Sequence, residues 1–362
     1  MYYGDSLLRK FLKSIIAPYI IKKYNIKVIG KIPKPPFLFI ANHTHILDGF
    51  FIQSVIPYPI SFVMAGGTYY NKWVYPFFKH FKFIPKQKGV PDIKTVRDIF
   101  KVLKNGGIVG LFPEGSTTWS GNYQPVPSGT DKLLDKIKVP ILAARIHGGY
   151  LSKPRWAKKE RKGNIIIELK TFNDSAALEY IKYNEWDWQE KNKWKYSGNK
   201  KAEGLERIIW FCDKCNSFNS IKAKGNVAKC TNCSREYAVD DYGYINGKRI
   251  DNIIYTQKEK LINYMNNNKY MVLDIGTLEE RDLFKPKLLN KEKGNIEVFD
   301  YGIKFNKNIF EFKKIKNGVC FVSTIFEFIY EEKVYRIKSE NYSYLLYNIY
   351  KIRSGKNVHI DG

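Results

Sequence analysis

Short uncharged runs alternate with amphipathic patterns through the first half of the chain. Residues 37–41 and 108–112 contain no charged side chain, and runs of this length predict buried strands. Apolar residues recur at three- and four-residue spacing over 93–103, which predicts a helix that begins after Asp92 and ends at 105–107. The expected buried stripe of this helix consists of Ile93, Val96, Ile99, Phe100 and Leu103. Strands that alternate with helices predict an α/β fold with a mainly parallel sheet and flanking helices.

The first 26 residues predict a basic amphipathic helix. Its apolar positions are Leu7, Leu8, Phe11, Leu12, Ile15, Ile16, Tyr19 and Ile20, with lysines and an arginine between or just beyond them. Such a helix can lie in a membrane interface, or it can pack its apolar face on its own domain, and periodicity does not distinguish the two. Trp73, Trp119 and Trp156 are further candidates for a membrane interface.

The pattern changes after Asp240 to short runs rich in β-branched and aromatic residues. Turn residues separate these runs, as at 316–318 and 331–332, which predicts a small, mainly antiparallel sheet. The stretch 342–352 predicts a closing helix. The chain is thus expected to have five parts: the N-terminal helix at 1–26, the α/β domain at 27–182, a linker or docking segment at 183–206, a four-cysteine module at 207–245 and a C-terminal α+β domain of unknown role at 246–362.

The net charge of +26 indicates an anionic partner. Anionic phospholipid surfaces and nucleic acid are the two candidates, and a compositional bias toward Lys, Asn, Ile and Tyr is a simpler explanation for part of the charge. No secretory signal is evident. The uncharged run 49–71 is long enough to span a bilayer, but it contains two prolines and two glycines, so a buried helix followed by a strand at 60–64 is expected instead. We therefore expect no membrane-spanning segment, and, if the anionic partner is a phospholipid surface, a peripheral or monotopic protein at the cytoplasmic face of that membrane.

Four of the five cysteines form two pairs with the spacing of metal-binding turns. Cys212 and Cys215 form the first pair, and Cys230 and Cys233 the second. Four thiolates are the closed tetrahedral ligand set of a structural zinc ion, and the pattern resembles a zinc ribbon. Two disulfides are the alternative, which the missing secretion signal disfavours. Because zinc ribbons can bind nucleic acid, this lysine-rich module also carries a rival function.

The first candidate for chemistry follows the predicted strand 37–41 and reads Asn-His-Thr-His-Ile-Leu-Asp. His43 can act as a base near pH 7, and a carboxylate on its other ring nitrogen would fix its tautomer. Asp48 can supply that carboxylate only if His43 lies in the loop and Asp48 in the first turns of the next helix, because residues five apart do not share a helix face. His45 with Asp48 is the rival pair. A simpler alternative is that Asn42 caps the helix and His43 is merely polar.

A second candidate stretch, Phe-Pro-Glu-Gly-Ser-Thr at 112–117, follows the predicted strand 108–112. Together with Asn-His-x4-Asp it resembles the glycerolipid acyltransferases, the lysophosphatidic acid acyltransferase family, in both order and spacing. The segments 84–89 and 139–143 fall where that family has an apolar-proline segment leading to a basic residue and its last apolar block. The resemblance covers roughly residues 5 to 175, the size of one domain.

The resemblance implies a membrane-associated O-acyltransferase that moves an acyl group from acyl-CoA or acyl carrier protein to a lysophospholipid, most simply 1-acyl-glycerol 3-phosphate. It implies that His43 is the catalytic base and that Asp48 orients it. Its implied acceptor site consists of Glu114, Gly115, Ser116 and Thr117, with Lys86 or Lys88 at the phosphate. The family has arginines where this chain has Thr117 and a lysine near 86–88, and lysine lacks the bidentate fork of arginine.

Two alternatives differ from this interpretation. In one, an inactive acyltransferase-like domain belongs to a binding protein whose four-cysteine module and C-terminal domain bind nucleic acid, protein or lipid. The presence of His43, Asp48 and Glu114 disfavours this alternative, and nucleic acid is the less expected partner. In the other, the chemistry is unchanged and the acceptor is another lysophospholipid or glycerol 3-phosphate.

Overall fold

The computed structural model describes residues 3–66, 75–86, 92–283 and 287–358. The chain divides into two compact units. The first comprises residues 1–155 and 160–197, and the second comprises 156–159 and 198–362. The five-part division expected from the sequence stays a prediction.

Helices and strands alternate along the first unit. Numbered in chain order, its described helices are α1 (Leu7–Lys23), α2 (Asp48–Val55), α3 (Tyr75–His80), α4 (Ile93–Lys104), α5 (Thr130–Asp135), α6 (Gly149–Ser152), α7 (Ala176–Ile181) and α8 (Glu185–Asn192). Its described strands are β1 (Ile26–Ile29), β2 (Phe37–Ala41), β3 (Ile60–Ala65), β4 (Ile84–Lys86), β5 (Ile108–Leu111), β6 (Ile141–His147) and β7 (Ile165–Phe172).

The seven strands form one mixed sheet in the order β1-β7-β6-β2-β5-β3-β4. Among the described strands of this sheet, only the β6–β7 pair is antiparallel, so the mainly parallel sheet with flanking helices is confirmed. The two central strands β2 and β5 are parallel neighbours, with Phe37 opposite Ile108 and Ile40 opposite Leu111. Their carboxyl ends therefore lie side by side at one edge of the sheet, where sites form in α/β folds.

Both faces of this sheet are covered by core. Phe37 and Phe39 belong to one buried cluster, and Leu38 and Ile40 belong to a second cluster on the other face. Because successive strand side chains point to opposite faces, a wholly apolar strand indicates burial on both faces. The apolar run at 37–41 has this double burial.

Helix α1 buries only a small part of its apolar stripe. Its buried residues are Arg9, Ala17 and Ile20, and the Arg9 guanidinium donates hydrogen bonds to Gln53 and to the Ile60 carbonyl (3.1 Å). The large apolar side chains exposed on this helix are Leu7, Leu8, Phe11, Ile15, Ile16 and Tyr19. Most of the apolar stripe is thus left uncovered by the described residues of the chain.

The buried face of α4 is rotated from the expected one. Ile93 is 72% exposed, and Val96 and Phe100 are also exposed, so their predicted burial is wrong. Thr95 lies on the buried face instead, and its hydroxyl donates to the Pro85 carbonyl (3.0 Å) on β4. The buried residues of α4 are Thr95, Ile99, Val102 and Leu103.

Two of the three tryptophans expected at a membrane interface are not at a surface. Trp119 and Trp156 are buried, at 1% and 0% exposure, and Trp73 lies outside the described residues. The described part of the uncharged run 49–71 contains helix α2 and strand β3, as expected. No helix in the described parts of the chain is long and apolar enough to cross a membrane.

The second unit contains two antiparallel sheets. The smaller sheet consists of β8 (Ile221–Lys224), β9 (Val227–Cys230) and β10 (Glu236–Ala238). The larger sheet has the order β14-β13-β12-β11-β17-β16-β15 and consists of β11 (Tyr270–Asp282), β12 (Leu288–Phe299), β13 (Gly302–Phe305), β14 (Asn308–Glu311), β15 (Lys316–Val322), β16 (Ile325–Tyr330) and β17 (Lys333–Lys338). The described helices of this unit are α9 (Ile250–Asn267) and α10 (Ser343–Arg353), with a 3₁₀ turn at Leu205–Arg207. The antiparallel sheet and closing helix expected from the sequence are confirmed.

One of the two expected turns in this sheet is a bulge instead. Glu331 and Glu332, both with positive φ, join β16 to β17 as predicted. Asn317 also has positive φ, at 52°, but it lies inside β15, where the pairing register shifts between Lys316 and Val319. A bulge and a tight turn both accept a residue with a left-handed backbone, so the same local sequence is compatible with either one.

Candidate active site

The candidate site lies where β2 and β5 end. The loop after β2 carries His43, and the loop after β5 carries Glu114. The two loops are joined directly, because the Thr118 N–H donates to the His43 carbonyl (3.2 Å). The Phe112 ring stacks on the His43 imidazole with a centroid distance of 4.5 Å.

His43 and Asp48 are hydrogen-bonded through their side chains. His43 Nδ1 lies 2.9 Å from Asp48 Oδ2, and the same oxygen accepts from the backbone N–H groups of Thr44 (2.8 Å) and His45 (2.9 Å). Asp48 is the first residue of α2 and is fully buried, whereas the His43 side chain is 20% exposed. Because the carboxylate accepts at Nδ1, the proton of the neutral ring resides there and the Nε2 lone pair is available as a base.

The rival pair of His45 and Asp48 does not form through the His45 ring. His45 Nδ1 accepts from the Leu47 N–H (2.9 Å), and the ring packs against Tyr24 and Phe51. Burial lowers the pKa of His45 to about 4, so this ring is neutral at pH 7. His45 is therefore a core residue of the loop.

Asn42 does not cap the helix either. Its side-chain oxygen accepts from the Ile146 N–H (2.7 Å), and its amide donates to the Ile146 carbonyl (3.0 Å). Asn42 thus continues the pairing of β2 with β6 through its side chain. The loop that carries His43 is anchored on this side by two hydrogen bonds.

Glu114 anchors the same loop from the other side. Its Oε1 accepts from the His43 N–H (2.7 Å), and its Oε2 accepts from the Gln124 N–H (2.8 Å). Burial raises the pKa of Glu114 to about 8, against these two hydrogen bonds, which favour the charged form. The carboxyl group therefore positions the backbone of His43 and of Gln124. The sequence did not indicate the contact with Gln124.

The loop after Glu114 turns sharply. Gly115 has a φ of +73°, and a Cβ added there would meet no atom within 4 Å. The left-handed backbone conformation therefore favours glycine at this position, whereas a side chain would meet no steric clash. The Ser116 Oγ is buried without a hydrogen-bond partner among the described residues. The Thr117 carbonyl accepts from Arg155 Nη1 (2.6 Å).

Lys86, one of the two lysines expected at the phosphate, lies on a strand that is not adjacent to β2. Lys86 ends β4, and β3 and β5 separate β4 from β2 in the sheet. Three strand spacings put the β4 backbone about 14 Å from the β2 backbone. Lys88 lies outside the described residues.

The four paired cysteines of the second unit form one cluster. Their Sγ atoms all lie within 4.8 Å of one another, with 3.6 Å between Cys212 and Cys233 and 3.7 Å between Cys215 and Cys230. A zinc ion with four thiolates at about 2.3 Å holds the sulfurs about 3.8 Å apart, so the donor set fits zinc. None of the five cysteines, all in the described part of the chain, forms a disulfide.

Each cysteine pair closes the same kind of turn. The Asn216 N–H donates to the Cys212 carbonyl (3.1 Å), and the Ser234 N–H donates to the Cys230 carbonyl (3.0 Å). Asn216 and Ser234 both have positive φ. In the first turn the Lys214 N–H also points at the Cys212 Sγ (3.4 Å), a contact that stabilises a thiolate.

Comparisons with known proteins cover the part of the chain that contains this site. Residues 23–147 match the family model described as Acyltransferase. The 1-acyl-sn-glycerol-3-phosphate acyltransferase of Bacillus subtilis (strain 168) is 25% identical over 157 residues, which cover 42% of this chain and 78% of that protein. The chain therefore carries an acyltransferase domain and is an acyltransferase enzyme.

One solved structure is also similar. The crystal structure of the 1-acyl-sn-glycerophosphate (LPA) acyltransferase PlsC from Thermotoga maritima matches 52% of this chain and 83% of that chain, at 20% identity. The TM-score is 0.43, which is too low to establish a shared fold.

Proposed function

We propose that this protein is a membrane-associated O-acyltransferase that acylates the free hydroxyl of a lysophospholipid. The proposed acceptor is 1-acyl-glycerol 3-phosphate, the proposed product is phosphatidic acid, and the donor is acyl-CoA or acyl carrier protein. The observation that carries the proposal is the His43–Asp48 hydrogen bond of 2.9 Å inside a domain that matches acyltransferases. The Bacillus subtilis relative, named for this acceptor, supports the choice of substrate.

The proposed reaction needs one base and no covalent enzyme intermediate. His43 Nε2 takes the proton of the acceptor hydroxyl as its oxygen attacks the thioester carbonyl carbon. The C–S bond then breaks, and the departing thiolate receives this proton from His43. Asp48 holds Nδ1 and stabilises the imidazolium that exists between these two proton transfers.

Glu114 contributes to this reaction by positioning. One carboxyl oxygen accepts from the His43 N–H and the other accepts from the Gln124 N–H. Glu114 therefore links the loop that carries the base to the segment around Gln124. A base held in one place raises the fraction of bound substrate that is aligned for attack. Gly115, Ser116 and Thr117 would form the wall of the acceptor site next to this loop.

The exposed stripe of α1 supports attachment to a membrane surface. Leu7 is 80% exposed and Phe11 is 62% exposed, and the last turn ends in Lys22 and Lys23. Apolar side chains that face outward, together with lysines, match the apolar interface and the negative charge of an anionic lipid surface. The acceptor and product are lipids, so an enzyme attached there would meet its substrate in place.

For the second unit we propose a structural zinc ion held by Cys212, Cys215, Cys230 and Cys233. Four thiolates leave no open coordination position, so the ion would stabilise the fold and would not take part in acyl transfer.

Acyl transfer by the purified full-length protein tests the proposed function. The assay contains lysophosphatidic acid and an acyl-CoA in anionic vesicles, and it compares wild type with His43→Ala and with His80→Ala. His80 is an exposed histidine that contacts Ser6, so it is the matched control. We expect His43→Ala to lower kcat/KM by about 10²–10⁴, the usual range for a general base, and His80→Ala to leave it unchanged.

Two further arms separate the alternatives. Acyl carrier protein replaces acyl-CoA in the first, and a panel of lysophospholipids and glycerol 3-phosphate replaces the acceptor in the second. Activity with another acceptor, still dependent on His43, would change the substrate and keep the mechanism. Absence of activity in every arm would contradict the proposal and favour a binding protein.

A further inference from the structure

The acceptor of the proposed reaction carries a phosphate on the carbon next to the reacting hydroxyl. The base and the group that binds the phosphate must therefore lie close together. Lys86, the described lysine expected for this role, is on a strand whose backbone lies about 14 Å from that of β2. A cation nearer to His43 would suit the phosphate better.

Arg155 is a cation that contacts the loop after Glu114. Its Nη1 donates to the Thr117 carbonyl (2.6 Å), and its guanidinium carbon lies 4.7 Å from the centroid of the Trp119 ring. Both contacts are to the loop that follows Glu114. No sequence pattern indicates this placement, because 38 positions separate Arg155 from Thr117.

Hydrogen bonds and burial hold the surface that Arg155 contacts. Trp119 is buried, and its carbonyl accepts from the Tyr150 hydroxyl (2.8 Å). The Thr118 hydroxyl accepts from the Gly121 N–H (3.0 Å) and closes the loop on itself. An arginine held on such a surface loses little conformational entropy when it binds an anion.

The loop also limits the distance between this cation and the backbone of His43. Thr117 accepts from Arg155, and the next residue, Thr118, donates to the His43 carbonyl (3.2 Å). These two hydrogen bonds and the peptide unit between them limit the distance from Arg155 Nη1 to the His43 carbonyl oxygen to about 8 Å. The Ser116 Oγ, buried without a partner among the described residues, is a hydroxyl donor in the same loop.

We propose that Arg155 binds the phosphate of the acceptor and makes the enzyme specific for an acidic head group. This inference rests on the proposed function. A guanidinium matches phosphate geometry with two parallel N–H donors, which a lysine does not offer.

The test compares two acceptors with the same acyl chain, lysophosphatidic acid and 1-monoacylglycerol. Arg155→Gln keeps a donor for the Thr117 carbonyl and removes the positive charge. Arg155→Lys keeps the charge and removes the two parallel N–H donors of the guanidinium. We expect Arg155→Gln to raise the KM for lysophosphatidic acid at least about tenfold, with a smaller change in kcat. The KM for monoacylglycerol should not rise, and Arg155→Lys should recover part of the loss.

Arg145→Gln is the matched control. The Arg145 guanidinium lies 4.3 Å from the Tyr180 ring centroid and donates to the Tyr180 carbonyl, so the variant loses the same kinds of contact. Its KM for lysophosphatidic acid should stay at the wild-type value. Thermal unfolding of all variants checks that the fold is intact.

Equilibrium binding of lysophosphatidic acid to the same proteins gives a readout that does not need turnover. A Kd about tenfold higher for Arg155→Gln would support the inference even if the proposed transfer reaction were absent. An unchanged Kd and KM would overturn it. An equal rise in KM for both acceptors would also overturn it, since that result indicates a structural role for Arg155.

Discussion

His43 Nδ1 lies 2.9 Å from Asp48 Oδ2 although the two residues are five positions apart in the chain. The contact forms because His43 lies in the loop after β2 and Asp48 begins α2, so the chain turns between them. Asp48 also accepts from the Thr44 and His45 N–H groups, which ties the loop to the helix start. The same carboxylate thus sets both the tautomer of the base and the shape of the loop.

The first prediction concerns this pair. Asp48→Asn should lower kcat/KM for acyl transfer by about a hundredfold or more, because a neutral amide stabilises the imidazolium less and permits the wrong tautomer. The surface variant Asp98→Asn, which removes an ion pair with Lys94 on α4, should keep wild-type activity and stability. Steady-state kinetics with both variants measures the difference, and equal rates would contradict a role for Asp48 in orienting His43.

The second prediction concerns Glu114, whose two carboxyl oxygens each accept a backbone N–H. Glu114→Gln has one oxygen for two donors, so either the His43 or the Gln124 N–H must face an amide NH₂ group. An unsatisfied buried donor costs about 1–3 kcal/mol, which chemical denaturation should detect. We also expect kcat to fall about tenfold, because the His43 loop loses an anchor. Wild-type stability and kcat in this variant would show that the two hydrogen bonds do not position the base.

The third prediction concerns the outward stripe of α1. Ile15→Glu should weaken co-sedimentation with anionic vesicles, because it places a charge where an exposed apolar side chain would enter the interface. Ser14→Glu, at the neighbouring exposed position, introduces the same charge without removing apolar surface and is the control. We expect a loss of binding about fivefold larger for Ile15→Glu. Equal losses would mean that net charge alone governs binding.

The fourth prediction concerns the cysteine cluster. The protein should contain one zinc ion per chain by elemental analysis, and Cys215→Ser should lose it. Removal of the ion with a chelator should expose residues 211–239 to proteolysis, because their small sheet contains little apolar core of its own. Cys320→Ser, a buried cysteine outside the cluster, should keep the ion. Full protease resistance after complete zinc removal would contradict a structural role.

The fifth prediction concerns pH. Burial raises the pKa of Glu185 to about 8, while its Oε1 accepts from the Gly148 N–H (2.6 Å). The unfolded chain releases this proton near pH 4.5 and the folded chain near pH 8, so the folded state holds more protons in between and its stability falls as pH rises through this window. Glu185→Gln keeps an acceptor and has no proton to lose. Its free energy of unfolding relative to wild type should therefore increase by about 1 kcal/mol per pH unit between about pH 5 and pH 8.

Glu179→Gln is the control for this titration, because the Glu179 side chain is 75% exposed. Its difference from wild type should stay constant over the same range. A constant difference for Glu185→Gln as well would show that Glu185 is already ionised in the folded protein at the acidic end of that range.

Several features of this protein were determined by the sequence alone. The apolar runs at 37–41 and 108–112 predicted the strands that lead to His43 and Glu114, because a strand buried on both faces leaves a local signature. The resemblance carried by the Asn-His-x4-Asp motif implied the contact between His43 and Asp48 that the structure contains, and the two Cys-x2-Cys pairs predicted a cluster. The catalytic and ligand roles of these residues stay predictions.

Only the tertiary structure decided how distant segments meet. Glu114 contacts the His43 loop, Arg155 contacts the Thr117 loop, and Thr95 on the buried face of α4 contacts β4. Each of these contacts depends on which residue a neighbouring segment brings nearby, and no local period or spacing encodes it. Periodicity likewise shows that a helix has an apolar face but not what that face meets. For α1, only the tertiary structure shows that Arg9 is buried and that Phe11 is exposed.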